Sequence, residues 1–368
     1  MRLTLCLMFF GIFLSATAVQ SAGRKHIENK MQTIPNSQTR TVQQLSDYIN
    51  NHFDADEQRL YAIYYWLATA IRYDVRSINR IPKEQAYEQI ILNTLKQRKG
   101  VCEGYAGLMD TLSKLAGIPV FTVHGFTRQQ GRIDPLPHAW IAAKVNDSWY
   151  LTDPTFASGS MQNGRYVHAY DDSWFMVAPP EMIETHMPYD PTWQFLEQVV
   201  SYRTFALGEK DKPLYSTPFM YEDTIALFQR SSPGTQLLAE QRRIQLNNFR
   251  HQVISTRLEY IKEALRVNHL NDRIVLFNRA TTLFNSAADN YNRYAQERNQ
   301  HRLSDQAAAY LSNLLIEAQK SLNEASALLG QITNPPKDMR RHITGLSDSI
   351  ITMQEQIGIE LRNIGTSH

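Results

Sequence analysis

Three residues in this sequence have the types and spacing for covalent chemistry: Cys102, His138 and Asp153. Cys102 opens a predicted helix that runs to about Ala116. Gly117-Ile118-Pro119 ends it, with Gly at the left-handed capping position and Pro just beyond. A cysteine at a helix N-terminus meets the positive end of the helix dipole and backbone N–H groups that lack helical acceptors. Both favour the thiolate, the nucleophilic form. The same N–H groups are placed to stabilise an oxyanion formed by attack on a carbonyl. Glu103 opposes this unless its carboxylate turns away, because a neighbouring negative charge raises a thiol pKa.

His138 and Asp153 are related by hairpin geometry. Ala139–Val145 and Trp149–Thr152 read as strands joined through Asn146-Asp147. With a two-residue turn, Val145 pairs with Ser148, Trp140 lies opposite Asp153, and His138 lies opposite Thr155. Opposite residues share a face, as do residues two apart, so His138 and Asp153 fall diagonally on one face. A three-residue turn reverses the parity and separates them. With the even turn, Asp153 orients the imidazole and His138 exchanges a proton with Cys102, a nucleophile, base and orienter set. Residue types alone leave the plainer reading open: a buried cysteine acting as a small hydrophobe, with surface histidine and aspartate.

Other candidates carry less. Trp140 and Tyr105 are candidates for lining a substrate cleft, although aromatics this near a core also simply fill it. Gln97 lies upstream of the cysteine and is a candidate oxyanion donor. His124 on a predicted strand reads as packing. His168 and His186 share no metal-ligand spacing with a carboxylate or cysteine, and Asp171-Asp172 reads as a solvated loop. No metal or cofactor is expected.

The elements that must position these residues follow from periodicity. Residues 23–40 are polar, unpatterned and expected to be flexible. A helix is predicted from about Thr41 to Phe53. A second begins at Asp54-Ala55-Asp56-Glu57, with Asp54 as cap and Glu57 closing a capping box. A third covers 84–97. In the helix after Cys102, Tyr105, Leu108, Met109, Leu112 and Leu115 form the apolar stripe. Val120–Phe126 is strand-like, 127–137 is expected to be a loop, and about 160–200 is expected to pack irregularly.

The words around the three residues resemble the transglutaminase-like superfamily. Lys99-Gly100-Val101-Cys102-Glu103-Gly104-Tyr105-Ala106 is similar to its cysteine motif, and Gly117-Ile118-Pro119 to the end of its catalytic helix. Pro137-His138-Ala139-Trp140 resembles the histidine motif, and Trp149-Tyr150-Leu151-Thr152-Asp153-Pro154-Thr155 the aspartate motif. Tyr65-Trp66-Leu67 with Ile71-Arg72-Tyr73-Asp74 resembles the preceding helix. The likeness covers roughly residues 40–195, under half the chain, and leaves out the C-terminal helices. It implies an α+β fold with a papain-like core, the cysteine helix packed on an antiparallel sheet. It implies Cys102 as nucleophile, His138 as general base then acid, and Asp153 as orienter, acting on an amide through a thioester. Water as acceptor makes a peptidase or amidase; a lysine amine makes a cross-link. Members with this short core resemble proteases more often than cross-linkers. No clustered acidic loop suggests calcium dependence.

Composition bounds the rest. The chain has 368 residues, 38 Lys+Arg against 36 Asp+Glu, and two cysteines. Such a balance gives no basic field for nucleic acid, and the length suggests about two domains. Arg2, an apolar run from Leu3 to Leu14 and Ser15-Ala16-Thr17-Ala18 read as a signal peptide over 1–22. Its removal takes Cys6, leaves Cys102 and no membrane span, and implies a secreted or periplasmic protein. Residues 23–204 are expected to form the transglutaminase-like domain and 205–236 a connector. From 237 to 368 four helical segments are expected (237–267, 271–300, 305–331, 338–363), forming a bundle or coiled coil. The reading is a cysteine hydrolase acting on a peptide or protein. The alternative is a catalytically idle scaffold whose helices bind a partner or self-associate.

Overall fold

A computed structural model describes residues 22–78, 87–162, 165–208, 213–300 and 305–365. The expected signal peptide lies outside them except for Ala22. Two compact units form: one runs up to Ser232 and includes Leu238–Glu259, and the other holds Pro233–Leu237 and the residues from Tyr260 on.

In the first unit, α1 (22–32) replaces the expected flexible segment. Ile27 and Met31 are buried at its inner face. Their spacing of four places them one above the other on a helix, but so few apolar residues give no visible period. Thr41 caps α2 (Val42–His52) by accepting from Gln44 N at 3.1 Å. The cap of α3 (Asp56–Ala70) is Ala55, one residue past Asp54, and Gln58 rather than Glu57 reaches back to its N–H. Tyr61, Tyr64 and Leu67 of α3 are buried. Strands β1 (Arg72–Tyr73) and β2 (Lys99–Gly100) pair in parallel on either side of α4 (Tyr87–Gln97). Residues 84–86 of the third predicted helix lie outside the described residues. Then comes α5 (Cys102–Leu115).

Strands β3 (Val120–Gln129), β4 (Arg132–Val145) and β5 (Ser148–Thr152) follow, then α6 (Pro154–Ala157), the hairpin of β6 (Gly159–Gln162) and β7 (Arg165–His168), α7 (Pro179–Met182) and β8 (His186–Pro188). The main sheet is antiparallel throughout, in the order β5-β4-β3-β8. Two expectations are corrected. Residues 127–137 are mostly strand, because Gln130 and Gly131, both at positive φ, make a tight turn and a bulge near Phe126 absorbs the irregularity. Within 160–200, β8 is a fourth strand of the main sheet. The β4–β5 turn is the even one: Val145 pairs with Ser148, with Asn146 and Asp147 at φ 49 and 61.

Both faces of β4 are covered, which explains its unbroken apolar run. Ala139, Ile141 and Ala143 share a core with Leu108, Met109 and Leu112 of α5. Trp140 and Ala142 join a second core with Val123, Leu151, Met182 and Trp193. That second core takes in Ile225 of α9 (Tyr221–Arg230), which follows α8 (Tyr202–Leu207). The segment read as a connector is thus largely helical. So is α10 (Pro233–Leu246), whose Arg243 makes a bidentate pair with Asp190, both contacts at 2.7 Å.

The helix break expected near 268–270 lies instead at 247–251, where Asn248 adopts φ 44. As a result α11 (Gln252–Gln300) is continuous. Helix propensity is a weak prior, and the polar residues near 268 sit within one helix. In the second unit α11 packs with α12 (Asp305–Gly330) and α13 (Lys337–Gly365). Ala280, Ala287 and Tyr294 meet Leu311, Ala318 and Ala325, and Ile350, Ile357 and Ile364. Each set repeats every seven residues, the seam of left-handed helix packing. No helix among the described residues is long and apolar enough to cross a membrane.

The β3–β8 contact requires glycine at 125. A Cβ there would lie 2.1 Å from the Met187 carbonyl oxygen and 2.5 Å from Trp140 Cη2. Backbone cannot swing aside as a flexible side chain does. Gly125→Ala is expected to lower unfolding free energy by at least about 1–3 kcal/mol, measurable by urea denaturation.

Candidate active site

Cys102 is the first residue of α5, with Val101 as the cap. Helix geometry leaves its amide and that of Glu103 without intrahelical acceptors. Cys102 is 9% exposed and is the free cysteine among the described residues. Cys102 lies near enough to His138 to add to the rise of the ring's pKa. His138 Nε2 lies 2.7 Å from Asp153 Oδ2. A carboxylate only accepts, so Nε2 carries a proton and Nδ1 is the ring nitrogen left for proton exchange.

Asp153 is fully buried, at 0% exposure. It caps α6, where its Oδ1 accepts from the amides of Thr155 at 2.8 Å and Phe156 at 3.1 Å. Burial pushes its carboxyl up, but His138, then His186, hold it well below the usual carboxylate range. For His138, burial alone would lower the ring. The Asp153 charge and hydrogen bond, with Cys102 adding to them, outweigh burial and push it up to about 10.

Sequence reading missed His186. It stands on β8, fully enclosed, with Nε2 at 3.1 Å from the same Asp153 Oδ2. Its sequence neighbours carry no metal-ligand spacing, and partners brought together by strand pairing leave no sequence signal. His138, Asp153 and His186 do offer ligand atoms within 4.8 Å of one another. Their distances are those of hydrogen bonds from two ring N–H groups to one carboxylate.

Other sequence candidates are placed as follows. Glu103 turns to His124 on β3, at 3.4 Å. Burial raises its carboxyl, but His124, then Arg257 and His138, hold it lowered. Trp140 and Tyr105 have 0% exposure, so neither offers surface to a substrate. Tyr105 donates to the Ile71 carbonyl at 2.6 Å, and Trp140 stacks on His138 with centroids 6.0 Å apart. Both were drawn in by apolar packing on either face of the sheet. Gln97 is exposed at the end of α4, and His168 bonds the Thr69 carbonyl. Asp171 and Asp172 are both exposed, and Asp171 also lines the cleft. That cleft, about 500 Å³, reaches His138 between Tyr73, Tyr166, Phe156, Leu136 and Met161.

Comparison with known proteins places these residues in a family context. The family model for the transglutaminase-like superfamily matches residues 43–154. Kyphoscoliosis peptidase of Homo sapiens is 31% identical over 158 residues, 41% of this chain and 23% of that protein. The Mus musculus protein of the same name is 31% identical over 159 residues, 41% of this chain and 24% of that one. The chain thus spans about a quarter of the length of these curated relatives. Among solved structures, the periplasmic domain of TgpA from Pseudomonas aeruginosa is similar at a TM-score of 0.26 and 21% identity, covering 36% of this chain and 49% of that one.

The His138–Asp153 pair has a definite pH consequence. The ring's folded pKa of about 10 exceeds its ordinary 6.5. The stability it contributes is therefore full below about 6.5 and is lost as pH rises toward about 10. In Asp153→Asn the counter-charge is gone, and only the smaller contribution of Cys102 opposes burial. The His138 titration, followed by NMR, is expected to fall well below its wild-type position, and unfolding free energy is expected to lose most of this dependence.

Proposed function

With residues 43–154 belonging to the transglutaminase-like superfamily, we propose that this chain is a cysteine peptidase or amidase acting through Cys102, His138 and Asp153. The observation that carries this reading is the 2.7 Å bond from His138 Nε2 to a buried Asp153, beside a Cys102 that adds to the rise of the ring's pKa.

The sequence of steps follows from that arrangement. Cys102 Sγ, its proton taken by His138 Nδ1, bonds to the carbonyl carbon of a peptide amide. The resulting oxyanion accepts from N–H groups at the start of α5. The C–N bond breaks as His138 returns the proton to the leaving amine, and a thioester remains. Water then adds to the thioester, giving its proton to His138. The C–S bond breaks, the acid is released, and the proton returns to the thiol. Asp153 stays ionised throughout and holds the ring by Nε2.

Water is preferred to a lysine amine as acceptor in this proposal, in keeping with the name peptidase carried by the two relatives. The substrate is a peptide or protein entering the aromatic-lined cleft beside His138. Export is part of the same proposal, with residues 1–22 as the signal.

The test is turnover of casein and a panel of fluorogenic peptide amides. Cys102→Ala and His138→Ala are each expected to lower kcat/KM at least about 10³-fold. Equal turnover in wild type and Cys102→Ala would overturn the proposal.

A further inference from the structure

The hydrogen-bond set around Asp153 contains one more member than a three-residue mechanism uses. His186 and His138 both point Nε2 at Asp153 Oδ2, at 3.1 and 2.7 Å. His186 Nδ1 lies 2.8 Å from Thr185 Oγ1. The ring is enclosed by Trp140, Phe156, Trp174 and His138, with centroids 4.9 to 5.6 Å away.

The protonation of this ring follows from its partners. Nε2 faces an anion, so it carries a proton; a bare nitrogen there would set lone pair against lone pair. Burial lowers the ring's pKa despite Asp153, and the charge on His138 lowers it further. His186 is therefore neutral, with Nδ1 accepting from the Thr185 hydroxyl. That bond selects the tautomer that donates to Asp153. The other ionisable groups whose charges act on Asp153 and His138 are Cys102 and Glu103 from α5, Tyr73 from β1 and Tyr64 from α3.

We propose that His186, fixed in one tautomer by Thr185, is a positioning residue that shares Asp153 Oδ2 with His138 and limits how strongly the carboxylate holds the His138 proton. The reason is competition. Two donors on one oxygen divide its negative charge, so each bond is weaker than it would be alone. His138 must release its Nδ1 proton to a leaving amine and take one from water. An undivided Asp153 would hold the imidazolium too firmly for the first of these. This inference rests on the reading of Cys102, His138 and Asp153 given above.

The test uses the full chain and two substitutions. His186→Phe keeps a ring for the aromatic enclosure and removes the donor. His186→Gln keeps an N–H donor. The deciding readout is the NMR resonance of the His138 Nε2 proton in protein with isotope-labelled histidine, which needs no substrate. It is expected to move downfield in His186→Phe and back toward the wild-type position in His186→Gln. Peptide-amide turnover is expected to fall about tenfold in His186→Phe, the scale of one lost hydrogen bond to a charged group, and to recover largely in His186→Gln. Thr185→Val leaves the enclosure intact and should give a smaller downfield shift, so the answer does not depend on His186→Phe folding. A resonance unmoved in His186→Phe and Thr185→Val overturns the proposal. So does a normal His186→Phe beside an impaired His186→Gln, which would make the ring a shape-filler. Turnover that persists in Cys102→Ala would refute the nucleophile instead, and the resonance would still judge His186.

Discussion

A carboxylate with 0% exposure is the constraint around which the first unit is arranged. A buried charge is tolerated only when its lone pairs are matched by donors. Asp153 has four: the rings of His138 and His186, and the amides of Thr155 and Phe156. They come from β4, β8 and α6, so the anion is stable only when these elements are assembled. The fold and the chemistry of the site are therefore one requirement. Without β8 the carboxylate lacks a donor, and without α6 its Oδ1 faces apolar surroundings.

The sheet holds these donors still because it is packed on both sides. Alternate residues of β4 enter the α5 core and the Trp140 core. His138 is carried on that doubly anchored strand, while Cys102 is carried on α5, which is pressed against one of the two faces. Rigid elements on either side of the reacting atoms give the tolerances that a proton transfer needs. Gly125 lets β8 approach β3 closely enough for His186 to reach Asp153.

The chain after the core serves two structural ends. Residues 238–259 belong to the first unit, where Arg257 pairs with Glu240 at 2.7 and 2.9 Å and contributes to holding Glu103 ionised. Glu103 follows Cys102 directly, so its charge bears on the thiol. The second unit is held by heptad seams and by polar ties such as Tyr294 to Glu360 at 2.8 Å.

By itself the sequence determined the local features. The cysteine at a helix start, a hairpin at Asn146-Asp147 and the heptad stripes of α12 and α13 are all readable, because each depends on residues within a turn or two of one another. Hairpin parity related His138 to Asp153 on the condition of an even turn, and the pairing of Val145 with Ser148 supplies it. Only tertiary structure decided what crosses between elements. The place of His186 depends on β8 pairing with β3, about sixty residues away. The burial of Trp140 and Tyr105, the capture of α1 by Ile27 and Met31, and the packing of α9 and residues 238–259 on the core are of the same kind. Apolar burial is non-directional and leaves no mark in the spacing of the residues it joins.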